Sequence, residues 1–465
     1  MKNLKRLGTL RQRGQTLVLF LGFAAAMIGM LLIAFNSGQV SNAKMRAMNA
    51  ADAAAYSGAV FEARSLNFQA YMNRAMVVNE VTIAQSVSLR SWINYLSRLV
   101  TNINYITEFI PGAGEVSITI QKALAATDMY VQKFLPFMEI AMRAINTGEH
   151  AAQEGMQLGT VLDAQDLARQ VATLNGASLT PANVALFVEN EILWNKLTKS
   201  YTSSKVVSKD GRKRLKEVAL NSRDGFTNKR DWKLGSPWIQ TQIRKQGGTD
   251  LIDYDAWKGL DSAEWRNIYI PTKGWVTRTP LGWGGAQSYN PNIVQKTGKH
   301  GDINEWGDWD GKAANALANK SPNASKNSGG AFPGYRDIED PSKQNATLAV
   351  SFAVEVVIRG AAIPSANSIN GAKARMTNGA VLEHDPHYVS PNAGVFALSE
   401  ACVNFERPYK ADRADKRTEF PSLFNPYWRA SMATESRIAR VIVDSAKGLV
   451  PASAITGDST CKTRA

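Results

Sequence analysis

A twenty-residue apolar run near the N-terminus constrains this chain more than any other feature. Residues Thr16 to Phe35 read TLVLFLGFAAAMIGMLLIAF and contain no charged side chain. As a helix that rises 1.5 Å per residue, the run is about 30 Å long, which matches the hydrocarbon core of a bilayer. A cleaved secretory signal is the alternative, but its apolar core is usually only about 7–15 residues long. We therefore predict one uncleaved transmembrane helix over residues 15–36.

The charge that precedes this run predicts its orientation. The first 13 residues hold five basic side chains and no acid, which by the positive-inside rule makes residues 1–14 a cytoplasmic tail. The bulk of the chain is then periplasmic, and we predict a single-pass protein of the inner membrane. The net charge of +14 falls to +9 beyond the tail, too little for a nucleic-acid-binding surface.

A long helical stalk is predicted over residues 37–110, because the pattern stays helical and contains no proline. Near the membrane, small residues recur at helical spacing: Ala43, Ala47, Ala50, Ala54 and Gly58. Such a stripe allows another helix to approach closely, although alanine also favours helix on its own account. A homo-oligomer joined through the N-terminal helix follows from the first interpretation, and the sequence leaves both open.

Further along the stalk, a heptad seam is spaced alternately by three and four residues. Its members are Leu89, Trp92, Leu96, Leu99, Ile103, Ile106 and Ile110. This a/d pattern predicts packing against another helix. Because a helical region is predicted directly afterwards, over residues 111–200, we expect the seam to be buried within the chain as one side of a helical hairpin.

Within residues 111–200 two helices are predicted. The first, over residues 116–146, offers a core face of five large side chains: Leu124, Met129, Phe134, Met138 and Met142. For the second, Thr180 is the expected N-cap, Pro181 the first helical residue and Lys199 the end.

Composition changes near residue 200. Residues 201–345 form a basic, Trp- and Gly-rich segment, which predicts a loop-rich module of short strands with a hairpin turn at Asp210-Gly211. Eight of the eleven tryptophans fall between Trp232 and Trp309. They either fill a small core or form aromatic platforms that bind cell-wall glycans.

Regular structure returns in residues 346–465. Alternating apolar residues predict a strand over Leu348–Ile358, and a second strand is expected at Val395–Phe405. An amphipathic helix is predicted from Pro426 to Lys447. The predicted fold class is therefore α+β, with a transmembrane helix, stalk and helical hairpin followed by a strand-containing module and a strand/helix head.

The N-terminal region resembles a known family. The run RQRGQTLVLFLGFAAAMIGML followed by NAADAAAYSGA is similar to the start of TadE/TadG-like proteins of Flp (tight-adherence) pilus assembly. The family motif corresponds here to Asn49–Ala55. The resemblance implies a membrane-anchored structural component of a Flp-type pilus or related secretion machine, with other envelope or pilus-assembly proteins as partners. Pilin-like relatives are cleaved after a glycine that Gly14 matches, but Leu19 stands where they carry Glu.

Asp52 lies within the alanine-rich face of this motif. An acid among alanines is costly to bury unless it is paired. We consider two roles: pairing with a partner helix to set its register, or a place on a solvated helix face, where an ion pair contributes little.

Candidates for chemistry are few, and we predict no enzyme, no cofactor and no metal site. His384 and His387 flank a proline and lack a third ligand. Residues 302–313 resemble a calcium loop, but position five is Trp306 and position twelve is Ala313. Nucleophile-elbow, HExxH, P-loop and GxGxxG patterns are not found in usable context. An envelope enzyme of unknown type remains the least favoured alternative.

Cys402 and Cys461 are the two cysteines of the chain. An exported location is oxidising, so a disulfide between them is one expectation. The alternative is a buried free Cys402 and a loose tail that carries Cys461.

Overall fold

Two long helices dominate the structure. It is a computed structural model, and it describes residues 15–107, 113–201, 209–235, 241–252, 256–268, 276–288, 309–319, 334–338, 349–364, 394–406, 421–451 and 461. Helix α1 spans Gln15–Thr107 and helix α2 spans Ala113–Leu174. The predicted transmembrane segment and stalk are thus one helix of 93 residues, about 140 Å long. With the strand-rich sheets that follow, the α+β prediction is confirmed.

The remaining elements are shorter. In chain order they are β1 (Ser178–Leu179), α3 (Asn183–Leu197), β2 (Thr198–Tyr201), α4 (Lys209–Asn221), α5 (Gly225–Asn228), β3 (Trp232–Leu234), β4 (Thr241–Ile252), β5 (Ala256–Ile268), β6 (Val276–Gln287), α6 (Trp309–Asn319), β7 (Tyr335–Ile338), β8 (Ala349–Arg359), a 3-10 turn (Gly360–Ala362), β9 (Gly394–Phe405), β10 (Trp428–Ala433) and α7 (Arg437–Ala446).

Helices α1 and α2 form an antiparallel hairpin. Contacts from its tip to its base are Asn104–Ser117, Arg90–Asp128, Asn79–Asn146 and Gln69–Gln157. All four of these pairs are polar, and they fix the register of the two helices as an apolar seam alone would not. Pro136 lies inside α2, where it removes one helical hydrogen bond.

Two antiparallel four-stranded sheets pack along α1. The C-terminal sheet has strand order β1-β8-β9-β10, and the central sheet has order β3-β4-β5-β6. The C-terminal sheet contains both predicted strands: β8 is the one predicted from alternation, and β9 is the second strand expected at Val395–Phe405. Helices α3 and α7 pack against it around Leu186, Ala353 and Ile442. A small third sheet pairs β2 with β7.

The module at 201–345 differs from the prediction. Strands β4, β5 and β6 have 12 or 13 residues each, so the expectation of short strands is wrong for these three, whereas β3 and β7 have only 3 and 4 residues. The expected turn at Asp210-Gly211 is also wrong, because both residues lie in α4. The segment that follows is rich in Arg, Lys, Leu and Glu, which favour helix, and Leu215 and Ala219 are buried in the core.

Two predicted helices begin later than expected. Helix α3 starts at Asn183, and its N-cap residue is Ala182 rather than Thr180. The Thr180 hydroxyl instead donates to Glu355 Oε2 at 2.6 Å. At the C-terminus, the helix expected from Pro426 begins only at Arg437, capped by Ser436, because β10 pairs in the C-terminal sheet first.

Candidate interaction surfaces of the N-terminal helix

The first twenty residues of α1 present apolar side chains on all sides. Leu19 is 74% exposed and Phe20 is 69% exposed, and neighbouring Leu, Met and Ile side chains are similar. The helix is long and apolar enough to cross a membrane, and it is the one such candidate among the described residues. In water this surface would be strongly unfavourable, so it requires an apolar environment.

The next part of α1 packs against the C-terminal sheet of the same chain. The stripe Ala43, Ala47, Ala50, Ala54 and Gly58 is almost completely buried. Its alanines share one core with side chains of β8 and β9 and with Ala164, Ala168 and Ala172 of α2. At Gly58, a Cβ atom would overlap the ring of Phe352. The structure therefore buries this stripe within the chain, in a core formed with both the C-terminal sheet and α2.

Asp52 contacts the same sheet. Its Oδ1 accepts a hydrogen bond of 2.5 Å from the Ser399 hydroxyl on β9, and the neighbouring Lys44 donates to the carbonyl of Phe396 at 2.5 Å. Asp52 is partly buried against β9 and so does not lie on a fully solvated face, whereas its pairing with a partner helix stays a prediction. Asn49, in the same motif, is exposed.

Farther from the membrane segment, α1 packs against the central sheet, and here the small residues belong to the sheet. Cβ atoms added at Gly282 and Gly284 would overlap the backbone of α1 near Leu99 and Tyr95. At Gly259 the approach is less tight, since a Cβ atom there would lie 3.2 Å from both Ser91 Cβ and the Val87 carbonyl oxygen. On the opposite side of the sheet, Gly285 makes the same close approach to α6.

A buried ionic cluster joins this sheet to α1. The Asp261 carboxylate accepts hydrogen bonds from Arg230 Nε and Nη2 at 2.9 Å, from Lys245 Nζ at 2.6 Å and from the Ser91 hydroxyl at 2.7 Å. The three charged side chains are almost inaccessible to solvent. Burial lowers the pKa of Lys245, and the neighbouring Asp261 charge opposes that effect. The carboxylate therefore satisfies two cations that would otherwise be costly to bury.

Between the two sheets, a buried carboxyl lies where α1 meets α3. Glu62 Oε1 accepts a hydrogen bond of 2.8 Å from Asn190, whose amide also donates to the Ser351 carbonyl. Glu62 Oε2 has no hydrogen-bond partner among the described residues. Burial raises the pKa of Glu62 to about 8, so the carboxyl is mostly protonated at neutral pH.

The heptad seam of α1 does not form its buried face. Leu89 and Ile103 are each 41% exposed, whereas Val87, Ser91 and Tyr95 are buried. The expectation that the seam is buried within the chain is therefore wrong for Leu89 and Ile103. Trp92, Leu96 and Leu99 are partly buried, and Ile110 lies outside the described residues.

Comparison with known proteins gives one match. Residues 14–60 match the family model described as putative Flp pilus-assembly TadE/G-like. The match covers the exposed apolar segment and the alanine stripe, but neither sheet. It confirms the resemblance in the N-terminal region. No curated protein and no solved structure is significantly similar to the chain.

Other sequence candidates are not brought together into a site. Gly14, His384, His387 and residues 302–308 lie outside the described residues. Trp257 is buried and its indole N–H donates to Glu80, whereas Trp232 and Trp265 are partly exposed. Among the described residues there is no group of three or more His, Cys, Asp or Glu side chains that could hold a metal ion.

The structure also joins Cys402 of β9 to Cys461 by a disulfide, with Cα atoms 5.9 Å apart. This links the C-terminal tail to the sheet that packs on the alanine stripe. Its formation in the cell stays a prediction.

Proposed function

We propose that this protein is a membrane-anchored structural component of Flp-type pilus assembly. The observation that carries the proposal is the family match over residues 14–60, since it covers an apolar helix of membrane-spanning length and the adjoining segment that holds the head. In this proposal residues 1–14 stay in the cytoplasm and the bulk of the chain is periplasmic.

The continuity of α1 supports a mechanical role. From the end of the apolar segment to Thr107 the helix extends roughly 100 Å at 1.5 Å per residue. The C-terminal sheet packs near the membrane end of this length and the central sheet near its far end. The helix thus acts as a spacer that holds two protein surfaces at set heights above the membrane, where envelope partners would bind.

Membrane anchoring is tested with Ile28→Arg, which places a charge in the middle of the apolar segment. Each such charge costs about 2.5–3.5 kcal/mol on insertion scales, and the side chain is exposed, so the folded head is not affected. We expect the variant to leave the membrane fraction on alkaline washing, while the control Ile28→Leu stays. An Ile28→Arg protein that remains in the membrane would contradict anchoring by this helix.

The role in pilus assembly needs a separate test in the organism that encodes the chain. We expect deletion of the gene to abolish surface Flp pili, and the full chain to restore them. Restoration should fail with Ile28→Arg and succeed with Ile28→Leu. Normal pili in the deletion strain would overturn the proposed function, whatever the fractionation shows.

A further inference from the structure

Helix α2 carries an exposed apolar stripe along its first half. The stripe follows alternate spacings of four and three residues: Val116, Ile120, Ala123, Thr127, Tyr130, Phe134, Phe137 and Ala141. Tyr130 is 72% and Phe137 68% exposed, and the other large members are also exposed. Of the face predicted to be core, Met138 is buried, whereas Met129 and Phe134 are exposed.

This stripe is distinct from the face of α2 that packs on α1. The face toward α1 includes Asp128, Leu135 and Asn146, each of which contacts α1 or the core beside it. The exposed stripe lies about a third of a turn away around the helix. It is therefore a second heptad face of α2. It does not pack on α1, which contacts the first face.

The spacing indicates what covers the stripe. A repeat of 3.5 residues keeps one face of a helix against another helix over many turns, whereas a lipid surface or a strand requires no such repeat. The five large members and the flanking Ile140 and Ile145 expose on the order of 700 Å², taking about 200 Å² per fully exposed side chain. That exceeds the patches of about 300–600 Å² on ordinary monomers and approaches the ~800 Å² that one partner contributes to a stable interface.

We propose that the stripe packs against the same stripe of a second copy of this chain, as a parallel helix pair. The parallel orientation rests on the proposed membrane anchor, because two copies anchored by α1 in one membrane have their α2 helices running in the same direction. In a parallel pair, a g position meets the e position five residues on in the partner. Ile140 then meets Ile145 of the partner, and both of these side chains are about half exposed in the single chain.

The distribution of charge around the stripe favours a second copy of this chain as the partner. The stripe itself holds no charged residue, and Lys133 is the one charge at its flanking e and g positions. Two copies therefore meet without opposing like charges, which would otherwise prevent self-association. With α1 on the neighbouring face, the pair forms a four-helix bundle at the far end of the hairpin.

Single cysteines test this arrangement in membranes that contain the full chain. Ile120→Cys and Phe137→Cys lie about 25 Å apart along α2. In a parallel pair each residue meets its own copy, so both variants should form dimers on mild oxidation. In the structure the two native cysteines are joined to each other, so neither offers a free thiol, and a Cys402→Ser/Cys461→Ser background removes them altogether. Gln132→Cys is the control, since it is exposed on the opposite side of the same helix and should stay monomeric.

Each outcome decides the proposal. Dimers from both stripe variants and none from the control support it. A dimer from only one variant indicates an antiparallel crossing and overturns the parallel pair, and no dimer from either overturns self-association at this face. Covalent capture of a different protein or of lipid in place of the second copy also overturns it. None of these results depends on pilus formation or on membrane extraction, so failure here is distinguishable from failure of the proposed function.

The complementary variant Phe134→Glu/Phe137→Glu removes the pairing without touching the core. We expect its mass in detergent, measured by light scattering, to fall from dimer to monomer, while Gln132→Glu remains dimeric. The melting temperature checks that both variants are folded.

Discussion

Helix α1 packs against two sheets, and the small residues that permit close approach lie on opposite partners in the two contacts. Against the C-terminal sheet, the helix supplies alanines and Gly58, and the sheet supplies large side chains such as Phe352. Against the central sheet, the strands supply glycines such as Gly284, and the helix supplies Ser91 and Tyr95. The first contact is mostly apolar, with the Asp52–Ser399 hydrogen bond at its side, whereas the second contains a buried ionic cluster.

Because of this difference, we expect the two contacts to respond to different substitutions. Apolar packing tolerates repacking, since a displaced ring can move or be replaced by a smaller side chain. A buried charge cluster and a backbone-to-backbone contact tolerate little, because a lost partner leaves an unpaired charge and a backbone cannot rotate away. The predictions below test this contrast with the full chain in detergent.

The largest effect is expected from Asp261→Asn. The substitution leaves Arg230 and Lys245 buried without their shared carboxylate, which should lower the free energy of unfolding by about 3–5 kcal/mol. Thermal and denaturant unfolding measure the change. The control is Asp166→Asn, in an exposed ion pair with Arg169, where a change below about 1 kcal/mol is expected. Equal effects of the two substitutions would show that the cluster does not stabilise the central contact.

The C-terminal sheet carries a covalent link to the C-terminal tail. Cys402→Ser should lower the free energy of unfolding by about 3–4 kcal/mol, as expected for a closed loop of this size. The matched Cys461→Ser should have nearly the same effect, because either change opens the same bond. Intact mass after alkylation, with and without prior reduction, checks whether the bond exists. A mass that does not depend on reduction would rule it out.

A pair of alanine substitutions compares the two contacts directly. Gly284→Ala would push Cβ into the backbone of α1, and Gly58→Ala would push it into the ring of Phe352. Both should lower the free energy of unfolding by about 1–3 kcal/mol, with Gly284→Ala at the upper end. Adding Phe352→Leu should recover part of the loss at Gly58.

Addition of Phe352→Leu to Gly284→Ala should restore none of the lost stability. Restored stability there would contradict the conclusion that Gly58 and Gly284 lie in two separate contacts. Gly148→Ala is the control for the general effect of glycine, because its Cβ meets no atom within 4 Å. It should stabilise α2 by about 0.5–1 kcal/mol.

The last comparison concerns pH dependence, at Glu62. Its folded-state pKa of about 8 is far above the ordinary value of 4.5, so the folded protein binds a proton that the unfolded chain releases. This contribution to stability is complete below about pH 4.5 and is lost as pH rises toward 8. Glu62→Gln imitates the protonated carboxyl and should flatten this part of the profile.

Melting temperatures between pH 5 and pH 9 measure the effect of Glu62→Gln, which should be near zero at pH 5 and stabilising at pH 8. The exposed control Glu115→Gln should follow the wild-type profile. A Glu62→Gln profile parallel to wild type would show that Glu62 is not protonated in the folded protein.

The features that depend on local pattern could be predicted from the sequence. The apolar segment, the long proline-free α1, the strands β8 and β9 and the family motif are each visible as a run or a repeat. The alanine stripe was also visible, since small residues at helical spacing mark a close contact. Alanines cannot specify whether a helix or a sheet makes that contact, because both kinds of contact require only small side chains on the helix surface.

The central sheet and the exposed face of α2 could not be predicted from local pattern, because both depend on contacts between distant parts of the chain. Glycines such as Gly259 and Gly284 resemble loop residues in sequence, because glycine weakens a strand unless another backbone approaches closely there. The approaching backbone belongs to α1, more than 150 residues away along the chain. Likewise, Phe134 and Met138 are equally apolar in sequence, and the position of α1 alone buries one of them and leaves the other exposed.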